Sequence, residues 1–79
     1  MAATWHECEV LEAGPQPDSD EVAVNLREVN GAWNGWRTPT AMPREVLATA
    51  LVALTTGSHL IVLIDDASNK ILRFNIRRR

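Results

Sequence analysis

Seventy-nine residues form one domain, residues 1–79, with no room for a second core. A single cysteine, Cys8, excludes an intrachain disulfide, and together with the only histidines, His6 and His59, it falls short of a four-ligand zinc site unless carboxylates join. The net charge of −2 is unevenly placed: residues 1–30 carry seven acids against Arg27, and residues 31–79 carry three acids against seven bases, a split that suits pairing within the fold or between identical subunits before it suits a nucleic-acid patch.

Thr4–Ala13 alternates loosely, with His6, Cys8 and Val10 on one side and Glu7, Glu9 and Leu11 on the other, so a strand is expected. Gly14–Asp20 contains two prolines and two aspartates and reads as a loop. Glu21–Val29 alternates cleanly, with Val22, Val24 and Leu26 facing one way and Ala23, Asn25 and Arg27 the other. Asn30-Gly31 follows directly, and both residues tolerate the positive φ of a type I′ hairpin turn. Ala32–Thr38 returns as a third strand, with Asn34-Gly35 as a bulge or second tight turn, and Pro39 ends the pairing because it lacks a donor.

Thr40–Gly57 is the one helix. Pro43 suits its first turn, Glu45 complements the N-terminal dipole, and Gly57 suits the position after the last turn. Its apolar stripe is Val46, Leu47, Ala50, Leu51 and Leu54. The opposite side is small or apolar, at Ala48, Thr49, Val52, Ala53 and Thr56, where a solvated helix carries several Lys and Glu residues. This face is therefore expected to touch another chain or to cover a cavity. A domain this short buries only roughly 60–65% of its unfolded surface and gains from added support, so a homo-oligomer is expected.

His59–Asp66 is apolar on both faces, as in a central strand covered from both sides. Ala67-Ser68-Asn69 makes a turn, and Lys70–Arg77 alternates with Leu72, Phe74 and Ile76 inward. The expected fold is mainly β with one helix, in the order β-β-β-α-β-β, arranged as a small OB-like barrel.

The run WNGWRTPT, the helix VLATALVALTTG, the strand SHLIVLIDD and the final ILRFNI resemble the OB-fold, receptor-binding B subunits of the subtilase-cytotoxin and pertussis-like toxins, over residues 30–76. That resemblance implies a ring-forming pentamer, with helices lining a central channel and glycans bound at the periphery.

The candidate ligand site is Trp33, Asn34, Trp36 and Arg37. Three residues apart in a regular strand, the two tryptophans face opposite sides, whereas a bulge at Asn34-Gly35 returns both to one face. An exposed tryptophan can stack on a sugar or a base, with Asn34 and Arg37 supplying hydrogen bonds; the competing reading buries both rings in the core or a subunit interface. The candidate oligomer interface is Ala48, Thr49, Val52, Ala53 and Thr56. Arg73 and the terminal Arg77-Arg78-Arg79 could contact phosphates, with Phe74 stacking a base, so a single-stranded nucleic-acid binder is the alternative; the inward position of Phe74 and the acidic balance count against it. Asp65-Asp66 diverge in a strand and suit the entry to a turn. His6 and Cys8 share a face, but no third group completes a site. No catalytic triad, phosphate loop or zinc spacing is present, so neither enzyme activity, cofactor nor metal is expected; the partners expected are other copies of the chain and a glycan or protein. No apolar run approaches the roughly 20 residues of a membrane span. The start MAATWHECEV shows no signal peptide and the single cysteine fits a reducing compartment, so a cytoplasmic location is expected.

Overall fold

A computed structural model describes residues 2–16 and 21–78. The chain runs β1 (Ala3–Pro15), β2 (Val22–Glu28), β3 (Asn34–Arg37), α1 (Pro43–Thr56), β4 (His59–Asp65) and β5 (Ile71–Arg77). All five strands pair antiparallel in one sheet of order β3-β2-β1-β4-β5, and α1 packs on one face of it, mainly over β1 and β2. No helix among the described residues is long and apolar enough to cross a membrane.

The sheet is not closed into a barrel, which corrects the expected small OB-like barrel, closed or partly open. Its edges are β3 and β5, and they meet at one isolated parallel bridge, Pro39 to Ile71. There Ile71 donates to the Thr38 carbonyl at 2.9 Å and Thr40 donates back to Ile71 at 3.0 Å. Met42 turns into the left-handed region and the helix begins at Pro43, four residues after Pro39, so closure stops after one rung.

Period-two alternation decides which side chains face α1. Cys8 and Val10 of β1, Val22, Val24 and Leu26 of β2, and Leu60, Val62 and Ile64 of β4 are all buried on the helix side, as their spacing requires. Burying each aliphatic side chain there contributes roughly 1.5–3 kcal/mol. Ile61 and Leu63 of β4 point to the other face, where no helix or strand of the described residues lies, and are half-buried. The expectation that this strand is covered on both sides is therefore corrected.

β1 is longer than its sequence pattern suggested. Gly14 and Pro15, expected in a loop, pair with Ala23 and Val22, and a register shift between Val10 and Glu12 lets the strand bend. The rest of that expected loop, residues 17–20, lies outside the described residues.

α1 starts with a proline in its first turn and ends on Gly57 in the left-handed region (φ 72°), as its sequence predicted. Met42, the residue before it, also adopts a left-handed conformation (φ 56°) without a side-chain cap. The buried arc of α1 is Val46, Ala50 and Ala53, and Leu47 packs at its margin. Leu51 and Leu54, expected inside, are exposed, while Ala53, expected in an interface, is 1% exposed. The rotation has a steric cause: the two alanines let the helix axis approach the sheet closely, and the leucines flank the contact.

β5 also departs from expectation. Ile71 pairs with Ile64 and Arg73 with Leu63, so Leu72 is an extra residue at a bulge, and Ile71 takes the buried position. Phe74 is half-buried and Ile76 exposed, because α1 leans toward β1 and β2 and leaves the β5 edge uncovered.

Candidate functional site

The β2–β3 connection sets where each tryptophan goes. Glu28 donates its backbone N–H to Trp33 at 2.9 Å, and Val29 donates to Glu7 of β1, so a wider loop replaces the expected two-residue turn at Asn30-Gly31. Neither Asn30 nor Gly31 has a positive φ. β3 then pairs with β2 in unbroken register, Arg27 with Asn34 through Val24 with Arg37. The expected bulge at Asn34-Gly35 is absent, although Gly35 has a φ of 122°. An unbroken period of two separates the rings. Trp33 turns to the helix side, and Trp36, 53% exposed, stands on the open face.

Trp33 belongs to a packed polar cluster. The His6 imidazole stacks on its indole at 4.1 Å with an interplanar angle of 10°, and the Arg37 guanidinium lies 4.3 Å from its ring centroid. His6 Nδ1 donates to Glu28 Oε2 at 2.6 Å. Arg37 donates from Nη1 to the Trp36 carbonyl at 2.8 Å and from Nη2 to the Asn34 carbonyl at 3.0 Å, while its Nε is buried with no hydrogen-bond partner. Of the four candidate ligand residues, Trp33 and Arg37 are thus engaged in the fold, and Trp36 and Asn34 remain exposed.

His6 and Cys8 do share a face, as their spacing implied. Cys8 is nevertheless fully buried, and burial, reinforced by the Glu28 carboxylate, pushes its thiol up to about 12. A thiol held neutral in the core is no nucleophile at neutral pH. Among the described residues, no group of three or more His, Cys, Asp or Glu side chains is placed to hold a metal ion. Asp65 forms the turn its sequence suggested: it accepts from the Ala67 N–H and the Ser68 hydroxyl, while Asp66 accepts from the Thr4 hydroxyl.

The open face carries a second charged system. His59 Nδ1 donates to Glu7 Oε2 at 2.7 Å and Arg77 Nη1 donates to Glu7 Oε1 at 3.2 Å. The hydrogen bond from His59, with the Arg77 charge beside it, holds the Glu7 carboxyl below its ordinary value of 4.5 despite some desolvation. Glu9 accepts from Arg27 at 2.9 Å. The Arg77 and Arg27 charges are therefore shared with carboxylates, and Arg79 lies outside the described residues. Phe74 is on the helix side, away from these arginines.

Three residues that sequence reading did not place in a site join this face. Asn25 pairs directly with Trp36, and Arg27 with Asn34, so the exposed indole is bordered by an amide and a guanidinium. Trp5, 48% exposed, occupies the same face at the far side of β1. The signal for all three was their position on the outward side of alternating strands.

The expected interface residues Ala48, Thr49 and Val52 border an apolar cleft with Ile76, between α1 and β5. Thr56 is exposed, and its hydroxyl donates to the Val52 carbonyl at 2.7 Å. From Ala48 to Thr56 the helix has no charged residue, and Leu51, Val52 and Leu54 are all exposed there. Compared with known protein families, characterised proteins and solved structures, the chain matches none.

Proposed function

We propose that this chain is a non-enzymatic binding module that assembles with copies of itself through the outer surface of α1. The observation that carries the reading is the uncharged helix surface from Ala48 to Thr56, exposing Leu51, Val52 and Leu54. A contiguous apolar patch of this kind marks an interaction site far more often than a solvated face. The strand order and the single β3–β5 bridge suit an open, OB-like arrangement, and the resemblance to toxin B subunits favours a ring of five. On this reading the Trp36 face, with Asn25, Asn34 and Arg27 beside it, takes a glycan: the indole stacks on the sugar ring and the polar groups meet its hydroxyls.

Native mass spectrometry at micromolar concentration tests the assembly. The wild type is expected as an oligomer and Leu51→Glu or Val52→Glu as a folded monomer, because each buries a charge in the contact; a monomeric wild type overturns it. The ligand face is tested separately on a glycan array, where Trp36→Ala is expected to lose at least about tenfold in binding, in line with one lost stacking contact. An unchanged profile, or an array with no binding by the wild type, removes the glycan reading.

A further inference from the structure

The two edges of the sheet are finished differently. In β3, the hydrogen-bonding alternation set by Glu28 and Trp33 points the carbonyls of Asn34 and Trp36 away from β2. Both are capped by the Arg37 guanidinium of the same strand. A strand arriving at that edge meets carbonyls already engaged and a fixed cation. β5 has no such cover. Thr38–Thr40 occupies its edge at Ile71 alone. Beyond it, the alternation that joins Asn75 to Ile61 leaves the N–H and C=O of Phe74 and Ile76 directed outward, with no described strand beside them.

Each side of the bare edge offers a place for side chains. On the helix side lies the apolar cleft of Val52 and Ile76, about 210 Å³. Toward the open face, a groove of about 500 Å³ is lined by Trp5, Met42, Leu72, Arg73, Phe74 and Asn75. Among the described residues the Arg73 guanidinium makes no hydrogen bond or ion pair, unlike Arg77 and Arg27. A backbone ladder flanked by alternating pockets is how an added strand is recognised.

We infer that the β5 edge binds an extended peptide of another protein, in which acidic residues alternate with apolar ones. The peptide continues the sheet as a sixth strand through the outward groups of Phe74 and Ile76. Its apolar side chains enter the cleft beside Val52, and its carboxylates meet Arg73 on the open face. Charge selects this occupant over a second copy of the chain. Another β5 would bring a second set of the same arginines onto one face, and like charges across a strand pair are destabilising. Another β3 is closed by its own Arg37. The inference goes beyond the self-assembly reading and does not require it; because both use Val52, peptide and assembly compete for that cleft in the wild type.

The test uses fluorescein-labelled eight-residue peptides, (Glu-Val)4 and (Lys-Val)4, in fluorescence anisotropy at low salt. It is run on the wild type and on Leu51→Glu, whose substitution lies on the helix flank away from β5. (Glu-Val)4 is expected to bind the Leu51→Glu protein whether or not the wild type assembles, so failure of the peptide and failure of the assembly are read separately. (Lys-Val)4 is expected to bind at least about tenfold more weakly, and Arg73→Glu to reverse that preference. N-methylation of alternate amides in (Glu-Val)4 is expected to weaken binding by a further factor of about ten, because it removes the ladder donors. Equal binding of the two peptides, indifference to N-methylation, no binding at all, or binding of a twelve-residue oligo-dT in place of the peptide overturns the inference.

Discussion

Gly35 shows how closely one backbone position is tied to the Trp33 cluster. A Cβ built there would lie 2.7 Å from Arg37 Nη1, and its φ of 122° is one that side-chain-bearing residues rarely adopt. Gly35→Ala therefore combines backbone strain with displacement of the guanidinium from the Trp33 ring and from the Trp36 carbonyl. The expected loss is about 1–3 kcal/mol in urea unfolding, accompanied by a change in tryptophan emission as the cation leaves the indole. Gly14→Ala is the control, since nothing lies within 4 Å of the added methyl and its φ is unexceptional, and it should stay within about 0.5 kcal/mol of wild type. Equal losses at the two positions would show that Arg37 and the backbone of β3 are not coupled.

At the scale of elements, legibility followed the strength of the period. β2 and β4 alternate without interruption, and Val22, Val24, Leu26, Leu60, Val62 and Ile64 all face α1 as their spacing demanded. The C-terminal limit of the helix was equally plain, because Gly57 marks it through backbone geometry that few other residues supply, whereas the expected start at Thr40 lies three residues before the observed one at Pro43. The facing of α1 was not legible. Leu51 and Leu54 are larger than Ala50 and Ala53, so hydrophobicity alone favours burying the leucines, yet the close approach of helix to sheet favours the alanines. β5 misled for another reason: one bulge at Leu72 shifts the phase, and a pattern of period two does not reveal a single inserted residue. The candidate site divided along the same line. Asn30-Gly31 has the composition of a tight turn, but the bonds of Glu28 to Trp33 and of Val29 to Glu7 hold a wider loop, and only that loop brings the Trp33 ring onto His6. Those are contacts between strands, and no local pattern announces them.

At the scale of the whole molecule, two ionisable groups on opposite faces of the sheet set how stability depends on pH. Glu7 has its folded pKa below 4.5, so it favours the folded state above that value, and the contribution disappears as pH falls through the lowered folded value. Cys8 behaves in the opposite direction. Its folded pKa is raised from 9.0 to about 12, so an unfolded thiol ionises first, and stability declines as pH rises from 9.0 toward 12. Urea unfolding across both windows should therefore give a stability curve that falls at each end. On the Leu51→Glu protein, subunit dissociation does not enter the measurement. Glu7→Gln should flatten the acid limb and change the alkaline limb only slightly, since burial is the main cause of the raised Cys8 pKa and the Glu7 charge a smaller one. Cys8→Ala should flatten the alkaline limb only, on a curve lowered throughout by the lost packing of a fully buried side chain. If Glu7→Gln leaves the acid slope unchanged, the His59 and Arg77 contacts do not stabilise the Glu7 carboxylate, and the open face is not organised by the charges that the structure shows there.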